Sequence, residues 1–245
     1  MLGYVFQVFA AFVMASDCAE VKHSYSTLFG MMLEDKDNWS VEMKYLVPPM
    51  VRFVCALCYR FPTYVASLLE SLMTIYNHVL STLHLEEDAV LLLSALFETM
   101  PISEPAILET LTTALHSSFS LLSFYKNNTK RKMIPFRFIR SIFLMLSKIS
   151  IRHGPETTLM ICEKVQPGML IGLLSSEIEA LRRMNHPPRD RRKFVIGFSK
   201  MLFGGLIEPQ CELWFKCMAG VIELVSGRGG GYVALLESAG GEEEF

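Results

Sequence analysis

The chain has 245 residues, 51% of them hydrophobic and 20% charged, with a net charge of −2. Such a high apolar content fits either membrane insertion or helices that are buried on two sides. No stretch reaches the roughly 18 uncharged apolar residues that a spanning helix needs, so we expect no membrane insertion. The six cysteines are dispersed along a large, core-rich chain, which excludes a small disulfide-stapled domain and favours a reducing compartment.

Apolar helices recur along the chain at a nearly regular spacing. Five of them open at Tyr4, Val47, Glu87, Pro135 and Asp190, with gaps of 43, 40, 48 and 55 residues. Every one after the first is preceded by another apolar helix, so the repeating unit is a helix pair. A period of about 40 to 47 residues built from helix pairs is typical of HEAT and armadillo solenoids.

The pattern therefore predicts an all-α, HEAT/armadillo-like α-solenoid of about five helix pairs over residues 1–226. A glycine-rich and acidic flexible tail is predicted for 227–245. Prolines between the apolar runs set the helix limits, because proline opens a helix well and interrupts it badly. The predicted helices are 3–15, 24–33, 46–61, 63–83, 87–100, 105–125, 135–152, 156–164, 168–185, 189–204 and 208–225.

In the predicted helix 135–152 the apolar residues form one stripe, and Arg137, Arg140 and Lys148 fall mostly off it.

Charge is strongly segregated along the chain. Residues 1–125 carry 5 basic and 13 acidic side chains, residues 126–200 carry 16 and 5, and residues 201–245 carry 2 and 7. A segregation of this kind favours a positive patch that meets an acidic surface.

The basic residues cluster at two predicted turns and on the helices beside them. In a solenoid equivalent turns stack on one edge, so the two clusters are expected to form one strip that docks an acidic protein surface. The alternative is a pair of solvated turns. A nucleic-acid surface is disfavoured, since few aromatic residues are interleaved with the charge. The candidate partner-binding residues are Lys126, Lys130, Arg131, Lys132, Arg137, Arg140, Arg182, Arg183, Arg189, Arg191, Arg192 and Lys193.

The sequence contains none of the patterns expected of an enzyme. It has no HExxH pair, no GxSxG segment and no phosphate-binding GxxxxGK[ST] loop. Cys55 and Cys58 form a single CxxC, whereas a zinc site needs four ligands, so we expect buried thiols on one helix face. We predict no catalytic residue, no cofactor and no metal.

Seven segments carry a resemblance to a known family. They are residues 4–9 (Tyr-Val-Phe-Gln-Val-Phe), 47–53, 91–101, 138–143, 151–154, 165–169 and 193–202. In their order and spacing the chain resembles the C-terminal part of the importin-α re-exporters. These CAS-type exportins belong to the importin-β (karyopherin) superfamily.

The resemblance implies a HEAT-repeat superhelix that binds importin-α together with Ran-GTP in the nucleus. It also implies passage through the nuclear pore, with contacts to pore proteins, and release of importin-α in the cytoplasm. The nucleotide belongs to Ran, so the resemblance implies neither a cofactor nor an enzyme. The family has further repeats before this region, and we expect the chain to be a piece of a longer solenoid. The alternative is a generic HEAT-repeat scaffold for another protein partner.

Overall fold

A computed structural model describes residues 2–16, 23–34, 45–127, 136–183, 186–205, 207–208 and 211–226. Within these residues the chain forms twelve α-helices and no β-strand. The chain divides into two compact units, residues 1–129 and 130–245, which we call unit 1 and unit 2. In the described ranges, every helix is too short or too polar to traverse a lipid bilayer.

The described part of unit 1 consists of helices arranged in two layers. Helix α3 packs against both α1 and α6, and α6 also packs against α5 and α7. Because α6 contacts three other helices, most of its side chains are buried. The helices are α1 (Leu2–Ala15), α2 (His23–Glu34), α3 (Val47–Arg60), α4 (Pro62–Ala66), α5 (Leu69–Ser81), α6 (Glu86–Thr99) and α7 (Pro105–Asn127).

Helices α3 and α6 run parallel in a fixed register. The Cys55 thiol donates to the Leu91 carbonyl at 3.8 Å, across 36 residues of chain. About one turn further along α3 and two turns further along α6, the Tyr59 hydroxyl donates to Glu98 at 2.9 Å, across 39 residues. Two contacts that advance together in the same direction require parallel helices, as expected when equivalent helices of successive pairs stack.

The described part of unit 2 has the same two-layer arrangement. Helix α8 packs against α11 and α9, while α12 packs against both α10 and α11. The helices are α8 (Phe136–His153), α9 (Pro155–Val165), α10 (Met169–Arg183), α11 (Pro188–Phe203) and α12 (Glu212–Ser226).

Helices α8 and α11 also run parallel, and they approach very closely. A Cβ atom on Gly197 would lie 2.5 Å from the Cα atom of Ser147, so only glycine fits at this crossing. One turn further, the Lys200 ammonium donates to the Ile151 carbonyl at 3.1 Å, across 49 residues. This lysine satisfies one of the carbonyls left open near the C-terminal end of α8.

The predicted all-α solenoid class is confirmed. In each unit, equivalent helices stack in parallel with contacts across 36 to 49 residues of chain, close to the spacing expected of successive helix pairs.

Two predictions about individual helices are wrong. The stretch predicted as one helix over 63–83 is two, α4 and α5. The Ser67 hydroxyl donates to the Tyr64 carbonyl at 2.7 Å, and this local bond competes with continued helix formation. Lys148 was predicted to lie off the apolar face of its helix, yet it is only 7% exposed. Packing of α8 against α9, α10 and α11 leaves little open surface, and a long lysine stem is accommodated along such surfaces.

Candidate partner-binding surface at the start of helices α8 and α11

The first turns of α8 and α11 lie side by side. The parallel register places Ser147 against Gly197 and Ile151 against Lys200. Each helix begins roughly three turns before the Ser147–Gly197 crossing, so the two N-terminal ends share one edge of unit 2.

Basic side chains crowd this edge. We call it the basic corner and define it as Phe136, Arg137, Arg140, Arg191, Arg192 and Lys193. Arg137 and Arg192 are exposed, whereas Arg140, Arg191 and Lys193 are half-buried. The first turns of the two helices contain one acid, Asp190. Phe136 begins α8 and is 50% exposed.

A buried histidine packs close to the residues of the basic corner. His186 is 3% exposed, its Nε2 lies 2.8 Å from the Leu181 carbonyl, and its ring packs edge-on against Phe194 at 4.8 Å. Because a carbonyl only accepts, Nε2 carries the proton in this arrangement. The Nδ1 atom is buried and has no hydrogen-bond partner.

Burial and nearby charge keep this imidazole neutral. Burial lowers the pKa of His186, and the positive charges of Arg140 on α8 and Arg191 on α11 lower it further. The Leu181 carbonyl and Asp190 act in the opposite direction. Because its pKa is below 6.5, His186 adds little positive charge next to the basic corner at neutral pH.

The position of these cations is unfavourable for the helices themselves. A helix N-terminus carries a partial positive charge, so acidic side chains stabilise it and basic ones do not. Here basic residues occupy the first turns of two adjacent helices. Local rules are most often broken at functional sites, which favours an interaction role for the corner over a purely solvated one.

Arg182 takes part in a partly buried ion-pair network. Its side chain is 10% exposed, and Nε and Nη2 donate to the two carboxylate oxygens of Glu223 at 3.0 and 2.7 Å. Its Nη1 donates to Glu179 at 2.9 Å. This two-pronged pair joins α10 to α12, so Glu223 balances the Arg182 charge within the fold.

The remaining candidates are distributed over both units. Lys126 is exposed at the end of α7 in unit 1. Arg183 and Arg189 belong to α10 and α11, but their side chains lie outside the described part of the structure. Lys130, Arg131 and Lys132 also lie outside the described residues. A single strip joining both basic clusters remains a prediction.

Two residues of this surface were missed by sequence reasoning. Sequence analysis singled out neither His186 nor Phe136. The available signal for His186 was its place between the Arg182-Arg183 pair and Pro187-Pro188, where a turn between two helices is expected. For Phe136 the signal was its position before the first arginine of a helix.

The cysteine pair lies where the sequence predicted it. Cys55 and Cys58 are 7% and 0% exposed on α3, and burial raises the pKa of the Cys58 thiol well above its ordinary value. Over the described ranges, no group of three or more His, Cys, Asp or Glu side chains is arranged to hold a metal ion.

Comparison with known proteins identifies the family. The family model for the CAS/CSE protein C-terminus matches residues 1–229, which include all twelve described helices. A search of curated proteins finds no match. A search of solved structures finds none either. Since the match spans nearly the whole chain, the protein belongs to the CAS/CSE family of karyopherin-type transport receptors, and its sequence corresponds to the family's C-terminal region.

Proposed function

We propose that the chain acts in a nuclear export receptor that binds importin-α together with Ran-GTP and returns importin-α to the cytoplasm. The observation that carries the proposal is the family match over residues 1–229. The stacked helix pairs support it, because such arrays present extended surfaces suited to holding another protein.

The proposal assigns the chemistry to the partners and the binding to this chain. GTP is bound and hydrolysed by Ran, and the chain contributes surface, shape and charge. Contacts with nuclear pore proteins carry the complex between nucleus and cytoplasm, so the protein shuttles between the two compartments.

The test is capture of importin-α under defined nucleotide states of Ran. The protein is tagged at its own gene, immobilised from a nuclear extract, and incubated with importin-α and Ran. Ran is loaded either with GDP or with a GTP analogue that it cannot hydrolyse. We expect about tenfold more importin-α in the GTP-analogue state, a typical coupling between two binding sites.

Two outcomes would contradict the proposal. Equal recovery of importin-α in both nucleotide states would remove the export mechanism. Recovery of another protein without importin-α would instead favour the scaffold function that sequence analysis left as the alternative.

A further inference from the structure

We propose that the basic corner of unit 2 binds an acidic segment of a partner protein that also carries an apolar side chain. The inference goes beyond the proposed function, because it assigns a ligand chemistry to one surface whichever partner supplies it. It rests on the geometry of α8 and α11.

The first argument is the convergence of positive charge. Arg137 and Arg140 on α8 lie beside Arg191, Arg192 and Lys193 on α11, because the two helices start at the same edge. The partial positive charges of two helix N-termini add to these side chains. Asp190, in the first turn of α11, contributes a negative charge in the same region. An acidic ligand is attracted by the basic side chains and by the two helix N-termini.

The second argument is the type of cation. Four of the five basic residues are arginines, whose planar guanidinium pairs with a carboxylate through two parallel hydrogen bonds. Arg137 and Arg192 are exposed, one on each helix, so a single extended acidic segment can reach both.

The third argument separates a protein ligand from a nucleic acid. Phe136 is 50% exposed at the start of α8, and it is the one aromatic residue of the corner. Single-stranded nucleic acids are usually held by several aromatic side chains on which successive bases stack. One exposed ring among arginines fits a peptide in which an apolar residue lies between acidic ones.

The test measures peptide binding by fluorescence anisotropy. The probe is a short labelled peptide rich in glutamate with two leucines. A second peptide has glutamine in place of every glutamate, and a labelled single-stranded oligonucleotide of equal charge represents the other ligand class. Binding of the glutamate peptide should weaken steeply as salt is added, since exposed charges are screened.

A pair of double variants separates the corner from general surface charge. Arg137→Glu with Arg192→Glu reverses one exposed arginine on each helix at the corner. Arg152→Glu with Lys164→Glu makes the same change in charge at the last turns of α8 and α9, where both residues are exposed. We expect the corner variant to lose at least about tenfold in peptide affinity and the control to stay within about twofold.

Thermal unfolding gives an independent readout. Glutamates at helix N-terminal turns are favourable and glutamates at C-terminal turns are not. The corner variant should therefore unfold at an equal or higher temperature than the parent, and the control at a lower one. Lost binding together with unchanged or raised stability supports a site, because damage to the fold would lower both.

A third variant tests the apolar contact. Phe136→Ala should weaken the leucine-containing peptide about threefold and leave an otherwise identical leucine-free peptide unchanged. Equal losses in the corner and control variants would overturn the proposal, as would tight binding of the glutamine peptide. Preferential binding of the oligonucleotide, lost in the corner variant, would replace it with a nucleic-acid surface. None of these results depends on capture of importin-α.

Discussion

The two units stack parallel helices in the same way but hold them together with different chemistry. In unit 1 buried tyrosine hydroxyls join neighbouring helices. The Tyr76 hydroxyl lies 2.7 Å from both the Ala114 carbonyl and the Ser118 hydroxyl, and the Tyr125 hydroxyl donates to the buried Glu86.

In unit 2 the corresponding contacts are an ion pair and a close approach of two helix backbones. Arg182 pairs with Glu223 between α10 and α12, and Gly197 brings the backbone of α11 against α8 at Ser147. The difference shows that stacked helices can be held in register by different types of contact. It also implies that unit 2 is the more sensitive of the two to lost charge and to added volume.

The largest effect is expected where the ion pair of unit 2 is broken. Arg182→Met leaves Glu223, whose side chain is 8% exposed, as a buried carboxylate without its main partner. We expect the free energy of unfolding to fall by about 3 kcal/mol, measured by urea denaturation. Adding Glu223→Leu should restore most of the lost stability, because an apolar pair replaces the isolated charge.

The exposed ion pair of α12 serves as the matched control. Lys216 and Glu212 are 2.6 Å apart, but their side chains are 43% and 82% exposed. Lys216→Met should leave stability unchanged within error, since exposed pairs contribute little. A similar loss in both variants would mean that the Arg182 pair is not special to the α10–α12 contact.

The next largest effect is expected at the close approach of α8 and α11. Gly197→Ala places a Cβ atom 2.5 Å from Ser147 Cα and 2.7 Å from its carbonyl oxygen, and backbone atoms cannot rotate away. We expect a loss of about 2 kcal/mol, measured by thermal or urea unfolding, because forced separation outweighs the better helix propensity of alanine.

A second helical glycine gives the opposite expectation. A Cβ atom on Gly172 of α10 meets no other atom within 4 Å. Gly172→Ala should raise stability by about 0.5 to 1 kcal/mol through helix propensity alone. If Gly197→Ala stabilised the protein as much as Gly172→Ala does, the described register of α8 and α11 would be wrong.

In unit 1 the tyrosine contacts should show a smaller effect. Tyr76→Phe removes a buried hydroxyl that lies between Ala114 and Ser118, and leaves their polar groups without that partner. We expect the free energy of unfolding to fall by about 1.5 kcal/mol. Tyr59→Phe removes an exposed bond to Glu98 and should cost only about 0.5 kcal/mol. Equal effects, measured by urea denaturation, would contradict the inferred importance of the buried bond.

The smallest expected effect is a difference in pH response between the units. The pKa of His186 in unit 2 is below its ordinary 6.5, so the unfolded chain takes up a proton first and acid destabilises the fold. The contribution of His186 to stability is complete above about pH 6.5 and declines as the pH falls below that value. Burial beside Glu87 raises the pKa of Asp88 in unit 1 to about 6, well above its ordinary 3.8. Its contribution is complete below pH 3.8 and is lost as the pH rises through about 6.

Variants at these two positions sharpen the contrast. His186→Gln keeps a donor for the Leu181 carbonyl and should reduce the loss of stability between pH 7 and about pH 5. Asp88→Asn should increase that loss, because it removes the one group of the two that favours the fold in acid. The measurement is urea denaturation of each variant at several pH values. Identical slopes for parent and variants would show that neither group couples to folding.

Most of the helices and their approximate spacing could be predicted, since local residue types determine them. Segments 151–154 and 165–169, noted for their resemblance, contain Gly154 and Gly168 at φ of 92° and 71°. Such left-handed positions favour glycine, and both lie at helix junctions. Part of the family resemblance therefore rested on turns, in addition to apolar stripes.

The partner of each polar side chain could not be predicted, because it depends on register to within one residue. Arg182 and Glu223 are 41 residues apart, and a shift of one position would turn the guanidinium away from the carboxylate. The periodicity of the chain fixes such separations only to within several residues. For the same reason Arg182 looked like any other member of a basic cluster, and Gly197 looked like an ordinary helix glycine.

The register of α8 and α11 is the claim on which both the stacking and the basic corner depend. The most direct measurement is a nuclear Overhauser effect between selectively labelled Gly197 and Ser147 in the full chain. The structure predicts strong cross-peaks between their α-protons, given the closeness of the two backbones at this crossing. The absence of these cross-peaks, or their appearance between Gly197 and a residue one turn away on α8, would contradict the account.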